Sequence, residues 1–248
     1  IEARLAGARE PGAADRDWAL RHVLAGPRNG TVALELGGAG PRRAEIDRNG
    51  RTPSPTPPLL GRRMGEERDI GYIRLKNLDD ASLPSQLDGA MSYLRDTRVL
   101  IVDLRDAAEG SRAVTSALLA RFAPRELPWQ IRESRAGKRD ADRIVPAATR
   151  AYAGPIIVLV DRWTAGEGEA LAAGLVAVTR ARLVGTAMAG LRGELHEIPL
   201  PHSGLVVRFP AEKVLHVDGT PREALRPAIL VDPAAPSGGP GDPILYQA

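Results

Sequence analysis

Residues 155–175 read PIIVLVDRWTAGEGEALAAGL, an apolar run followed by a glycine-containing turn and an alanine-rich segment. The run 155–160 is apolar at consecutive positions and ends at Asp161, which is typical of a strand buried on both faces. Residues 169–180, EALAAGLVAVTR, predict a helix soon after the turn. A strand buried on both faces lies in a sheet that helices cover on each side, so this stretch predicts an α/β fold.

The same alternation of strand and helix extends along the chain in both directions. Strands are predicted at 70–75 (IGYIRL), 99–104 (VLIVDL) and 181–185 (ARLVG), and helices by the apolar stripes Leu83, Leu87, Met91, Leu94 and Val114, Leu118, Leu119, Phe122. The stretch between Phe122 and Pro155 is polar and charged and predicts no element. Residues 194–231 predict β-hairpins laid against the sheet. The whole pattern favours a mostly parallel sheet with flanking helices.

Composition and patterning divide the chain into four regions. Residues 1–50 combine a predicted helix at 13–25 with a hairpin formed by TVALEL and RAEI. Residues 51–68 are rich in proline and glycine and predict a linker, because such a backbone does not form regular ladders. Residues 69–235 are the main α/β domain, and residues 236–248 are predicted to be a C-terminal tail.

Composition also excludes several function classes. The chain has 34 Lys and Arg against 31 Asp and Glu, and this net charge of +3 argues against a nucleic-acid partner. It has no cysteine, which excludes disulfides, a thiolate nucleophile and cysteine zinc sites, and its four histidines show no metal-ligand spacing. No segment is apolar over the roughly 20 residues that a membrane span needs. We therefore expect no metal, no cofactor and no membrane span.

Two strand-to-helix turns are the expected place for chemistry, because helix amides and tight turns meet there in a parallel sheet. They are DLRDAAEGSR (103–112) and DRWTAGEGEAL (161–171). At these turns the chain resembles the tail-specific, or C-terminal processing, serine peptidases, relatives of the tricorn core protease and interphotoreceptor retinoid-binding protein. That family has Asp-Leu-Arg before a glycine-rich turn, and Ser-x-Gly/Ser-Glu before an alanine-rich helix. The resemblance implies a ClpP/crotonase-like peptidase core.

The resemblance assigns catalytic positions on the second turn and on a later segment. With Glu169 on the family glutamate, Gly168 takes the position of the small residue and Gly166 that of the nucleophilic serine. Residues 181–193, ARLVGTAMAGLRG, are similar to a family segment in which a lysine follows the later glycine, here Gly190. The residue that follows in this chain is Leu191. The resemblance therefore implies that both members of the catalytic dyad are missing.

The other candidate site residues lie on the same turns. Gly110 keeps one candidate oxyanion amide, although Glu109 stands where the family has glycine. The resemblance implies candidate substrate contacts at Thr164, Glu167, Gly168, Arg105 and Gly190.

Several of these residues also have a structural interpretation. The second turn, residues 161–171, is here called the elbow. Thr164 carries its one hydroxyl, which is expected to cap the turn rather than attack a substrate. Glu169 is a candidate catalytic residue, and with Glu167 it would form the acid/base pair of another chemistry. Both also lie in the first turn of a helix, where acidic residues match the helix dipole. Arg105 and Asp103 are expected to form an ion pair that steadies the first turn.

Two further segments resemble parts of the same peptidases. Residues 17–36, DWALRHVLAGPRNGTVALEL, are similar to the last helix and strand of a PDZ-like module, so residues 1–50 are expected to be a partial module whose first strands precede Ile1. Residues 204–223 fit the closing portion of some bacterial members. The resemblance also favours an extracytoplasmic, periplasmic location.

Three functions remain open at this point. The first is a pseudo-peptidase that binds a peptide or a protein C-terminus without hydrolysis, since an acyl-transfer site needs a hydroxyl, a base and oxyanion donors. The second is non-hydrolytic acyl or enolate chemistry on a small carbonyl-containing ligand, with the amides of Gly166, Gly168 and Gly110 as donors. The third is a serine endopeptidase whose nucleophile has been replaced in the chain studied. The sequence predicts no oligomeric state.

Overall fold

A computed structural model describes residues 31–36, 42–47, 57–108, 110–232 and 241–248. The chain divides into two compact units, Ile1–Thr56 and Pro57–Ala248. In the first unit, β1 (Thr31–Leu36) and β2 (Arg42–Asp47) pair antiparallel, as the predicted hairpin requires. The predicted helix at 13–25 lies outside the described residues, and the PDZ-like character of this unit stays a prediction.

The second unit contains the main sheet. Its elements in chain order are β3 (Leu59–Met64), β4 (Ile70–Leu75), α1 (Leu83–Leu94), β5 (Val99–Asp103), α2 (Arg112–Leu119), β6 (Leu127–Glu133), β7 (Arg139–Ile144), β8 (Ile156–Val160), α3 (Glu167–Thr179), β9 (Arg182–Gly185), β10 (Glu194–Pro199), β11 (Val206–Leu215), β12 (Ile229–Leu230) and α4 (Pro243–Tyr246). The six-stranded sheet has the order β12-β9-β8-β5-β4-β3, and every neighbouring pair is parallel except β3 with β4. The predicted mixed α/β fold with a mostly parallel sheet is confirmed.

The structure differs from the predicted linker at its C-terminal end. Residues 59–64 form β3, which pairs antiparallel with β4 along its full length. The prolines end at Pro58, so each residue of this strand has an N–H for the ladder. Gly61 lets β3 approach α1, since a Cβ there would lie 3.3 Å from the Cβ of Ala90. The prolines that precede β3 made this edge strand look like part of the linker in the sequence.

A second sheet arises partly from the stretch in which the sequence predicted no element. β6 and β7 form an antiparallel hairpin there and join β10 and β11 in the order β10-β11-β6-β7. β7 reads RDADRI and is mostly exposed at the edge, so its charges conceal the apolar alternation of a strand. β6 contributes Trp129, which is buried beside α3 near Gly174.

Both faces of the six-stranded sheet are covered. α1, α2 and α3 lie over one face and share a large apolar core with the strands, including Leu87, Leu118 and Leu171. On the other face Tyr72 belongs to a smaller cluster with Ile244 of α4. Residues 241–248 were predicted to be tail and instead pack on the sheet. No helix in the described ranges is long and apolar enough to cross a membrane.

Candidate functional site

Gly166 is the N-cap of α3, at the sharp turn that follows β8. Its backbone has φ 53° and ψ −113°, a conformation that residues with a Cβ adopt only under strain. A Cβ built on Gly166 would lie 2.9 Å from the carbonyl oxygen of Ala108. Glycine therefore holds this elbow in a shape that costs other residues free energy.

Glu169 joins the elbow to the loop that follows β9. Its carboxylate is fully buried and accepts three backbone N–H groups: Oε2 from Gly166 at 3.1 Å and from Leu191 at 3.2 Å, and Oε1 from Gly190 at 2.8 Å. The bond to Gly166 is the glutamate half of a capping box. The nucleophile and lysine positions of the family resemblance are thus brought together, since their amides share one carboxylate oxygen.

The electrostatics of Glu169 reflect its burial. Burial raises the pKa of its carboxyl, and the charge of Arg222 and the three backbone donors oppose that rise. Arg222 is 5% exposed, and its Nη2 donates to the carbonyl of Gly193 at 3.2 Å. Arg222 therefore fixes the far end of the loop that Glu169 holds at its near end.

Two glycines of the site are required by close contacts. A Cβ on Gly168 would lie 2.0 Å from the carbonyl oxygen of Ala107, which accepts the N–H of Ala165 at 3.0 Å. A Cβ on Gly110 would lie 2.5 Å from that of Leu78. The two strand-to-helix turns therefore pack directly against one another through backbone.

Thr164 is buried inside the elbow. Its hydroxyl donates to the carbonyl of Leu104 at 3.0 Å and accepts the N–H of Asp161 at 3.0 Å. Its carbonyl accepts the N–H of Ala189 at 3.1 Å. Burial raises the pKa of the Asp161 carboxyl, which accepts N–H groups of the turn. The Thr164 hydroxyl acts as a structural link between the two turns.

Arg105 is held by two carboxylates. Its Nε and Nη2 donate to Asp103 at 2.9 and 2.7 Å, and its Nη1 donates to Asp242 at 2.7 Å. Burial opposes ionisation of Asp103, but the hydrogen bonds and charge of Arg105 outweigh it and lower the pKa of that carboxyl. Burial and the hydrogen bond to Asp103 raise the pKa of Tyr72 to about 12. The expected ion pair is present, whereas substrate contact by Arg105 stays a prediction.

The elbow amides are already in use within the protein. The N–H of Gly166 donates to Glu169, and that of Gly168 donates to the carbonyl of Ala165 at 2.9 Å. Gly110 forms an isolated parallel β-bridge with Leu78, and the half-buried Glu167 lies beside Gly110. Two of the donors proposed for carbonyl activation are therefore not directed at a ligand.

A cavity of about 720 Å³ lies beside the second sheet, away from the elbow residues. Gly193 lines it, and so do charged side chains that pair with one another, such as Glu133 with Arg139 at 2.7 Å and with Lys213 at 3.2 Å. Within the described residues, no group of three or more acidic residues or histidines could hold a metal ion.

Sequence reasoning left two residues of this region unassigned. Arg222 lies in the closing segment and Asp242 in the predicted tail, and neither has a neighbour in sequence that marks it as buried or paired. Arg222 lies 53 residues from Glu169 in the sequence, and Asp242 lies 137 residues from Arg105. Only the fold brings these charges together.

A mostly parallel sheet with a strand-to-helix elbow at Gly166, packed against a second glycine turn, defines an α/β protein. Residues 69–231 match peptidase family S41. The chain belongs to this family.

Three solved structures illustrate the shared fold. A putative peptidase from Parabacteroides merdae has a TM-score of 0.66 at 18% identity, over 77% of this chain and 62% of that one. The photosystem II D1 C-terminal processing protease has a TM-score of 0.64 at 20% identity, over 84% and 57%. Mature CPAF has a TM-score of 0.64 at 15% identity, over 90% and 68%. The chain thus spans about three fifths of the length of the first two. No curated protein matches the chain.

Proposed function

We propose that this protein is a member of family S41 that binds peptides or protein C-termini without hydrolysing them. The observation that carries the proposal is Gly166, which occupies the elbow at positive φ and has no side chain. Acyl transfer to an enzyme needs a hydroxyl or thiol at this point. The hydrogen atom that Gly166 carries in place of a side chain cannot attack a carbonyl.

No neighbouring hydroxyl replaces the missing one. The sequence has no serine between Ser134 and Ser203, and the hydroxyl of Thr164 is buried with its hydrogen bonds made inside the elbow. A nucleophile must reach a substrate with its oxygen exposed to the cleft and beside a base. Thr164 lies beside the carboxylate of Asp161, at 3.3 Å, but its oxygen is buried and so fails the first requirement.

The position that the resemblance gives to the general base is also inert. Leu191 carries an aliphatic side chain, 41% exposed, and its amide is held on the same carboxylate oxygen as that of Gly166. Glu169 itself accepts three internal hydrogen bonds and supports the backbone. The elbow is therefore intact as a scaffold but has neither of the groups that the dyad needs.

The same geometry supports peptide binding. The Leu191 side chain is exposed next to the elbow, and an apolar contact of this kind can accept a peptide side chain. A Cβ on Gly190 would meet no atom within 4 Å, so the space beside the loop is open. An intact elbow with an open apolar neighbour fits a ligand that is held and not cut.

The test combines turnover, labelling and binding. We expect the purified chain to leave unstructured casein intact and to take no label from a fluorophosphonate probe. We expect fluorescein-labelled casein peptides with free carboxyl termini to give a saturable rise in anisotropy. Cleavage or labelling would overturn the loss of hydrolysis, and a flat anisotropy titration would overturn peptide binding.

Two variants locate the binding and the lost chemistry. Leu191→Glu should weaken peptide binding, whereas Leu60→Glu on β3, where the side chain is 44% exposed, should not. Gly166→Ser alone should remain inactive because it restores no base. Casein cleavage by Gly166→Ser would contradict the proposal and favour a serine endopeptidase that lacks only its nucleophile.

A further inference from the structure

The hairpin of β10 and β11 extends beyond the rest of the second sheet. β11 pairs with β6 only through Lys213, Val214 and Leu215, while residues 206–210 and 212 pair with β10 alone. β10 is an edge strand of this sheet. The outer part of the hairpin is therefore a two-stranded ribbon, and such ribbons are marginally stable in water without a covering layer.

One face of this ribbon is apolar and exposed. Residues directly opposite each other share a face, and side chains alternate along each strand. The pairings 196 with 209 and 198 with 207, continued by the hydrogen bond from the N–H of residue 200 to the carbonyl of residue 205, place six residues on one face. We call these the ribbon face: His196, Ile198, Leu200, Leu205, Val207 and Phe209.

The ribbon face is as large as the largest apolar patch on a typical monomer, and such patches are often functional. Its five apolar side chains are 38% to 63% exposed, the limits being Phe209 and Leu205. Together they expose on the order of 450 Å² of apolar area, which lies within the ~300–600 Å² of the largest patch on a typical monomer. Glu197, Pro199 and Val206 alternate with them and lie on the opposite face. One face of the ribbon is therefore apolar along most of its length and exposed, whereas the opposite face combines Glu197 with Pro199 and the exposed Val206.

A second copy of the chain supplies a suitable cover. The apolar side of a sheet is buried by a helix or by another sheet, because a single extended peptide covers only one strip of it. The ribbon face contains no carboxylate, ammonium or guanidinium group, so stacking it on itself opposes no like charges. The apolar area of about 450 Å² and the polar area at its rim together approach the ~800 Å² of total surface that each partner buries in a standard interface.

We propose that the protein forms a two-fold dimer in which the ribbon face of one copy stacks on the ribbon face of the other. The contact is isologous, so the same residues meet on both sides. Ile198 and Val207 form the middle of the three cross-strand pairs and lie nearest the two-fold axis. This inference is independent of the proposed function.

Adjacent valines on β11 give a matched test. Val207 is 42% exposed on the ribbon face, and Val206 is 52% exposed on the opposite face. We expect the unmodified chain to sediment with twice the mass of one chain at micromolar concentration. Val207→Glu should reduce that mass to one chain, and Val206→Glu should leave it doubled. Circular dichroism and the urea midpoint check that both variants fold.

A cross-linking arm keeps the test valid if a glutamate disturbs the fold. The chain has no cysteine, so Val207→Cys and Val206→Cys each introduce its single thiol. Under mild oxidation Val207→Cys should give a disulfide-linked dimer and Val206→Cys should not. A monomeric unmodified chain, a dimer that survives Val207→Glu, or equal cross-linking of the two cysteine variants would overturn the proposal.

Discussion

Removing the carboxylate of Glu169 should loosen both the elbow and the loop after β9. Glu169→Ala leaves the amides of Gly166, Gly190 and Leu191 without their acceptor. Each orphaned amide costs ~1–3 kcal/mol, and the partial exposure of this region favours the low end, so we expect a loss of about 3 kcal/mol. Glu169→Gln keeps one oxygen for two amides and turns its NH₂ toward the third, so about 1–3 kcal/mol should be lost.

Urea unfolding followed by circular dichroism measures these losses, and hydrogen exchange measures the local effect. The amides of Gly190 and Leu191 should exchange faster in both Glu169 variants, most of all in the alanine variant. Glu67→Ala, in the exposed turn between β3 and β4, is the control and should change the free energy of unfolding by less than about 0.5 kcal/mol. If Glu169→Ala unfolds at the same urea concentration as Glu67→Ala, the carboxylate does not hold the elbow.

Three further predictions follow from close contacts and titrating groups. Gly168→Ala should lower the free energy of unfolding by about 1–3 kcal/mol, because its Cβ meets the carbonyl of Ala107. Gly89→Ala, which has open space around it in α1, should raise the free energy of unfolding by about 0.5–1 kcal/mol. Urea titrations measure both. Because the pKa of Asp103 is lowered in the folded state, its contribution to stability is full above the unfolded pKa of about 3.9 and is lost as pH falls through the folded value. The difference in free energy of unfolding between the unmodified chain and Asp103→Asn should therefore shrink below about pH 4. A difference that grows in acid would contradict this. Absorbance at about 295 nm should show one tyrosine ionising near pH 12, and Tyr72→Phe should remove that step.

The periodic parts of the fold were predictable because burial repeats at short range. The strands at 70–75, 99–103 and 156–160 and the helix at 167–179 lie where apolar runs and stripes placed them. β7 was not predictable, because an exposed edge strand carries charges in place of an apolar alternation. β3 was concealed by the prolines that precede it.

The site was predictable only where residues are close in sequence. The glycine at the elbow, the pair of Asp103 and Arg105 and the hydrogen bond from the N–H of Asp161 to the Thr164 hydroxyl follow from local turn chemistry. The reach of Glu169 to residues 190 and 191 could not be predicted, because it depends on β9 returning beside β8. Buried arginines such as Arg222 look like surface arginines in a sequence, since their partners are distant.

The torsion of Gly166 bears on how such a protein evolves. A serine held at this torsion stores about 1–3 kcal/mol of backbone strain, and glycine releases it. In a lineage that exchanged serine for glycine at such a turn, the step that removed the chemistry would also add stability, and that surplus would let it tolerate further substitutions around the turn. A return to serine would bring the backbone strain back and would still leave the base missing, so such a change is easier to make than to reverse.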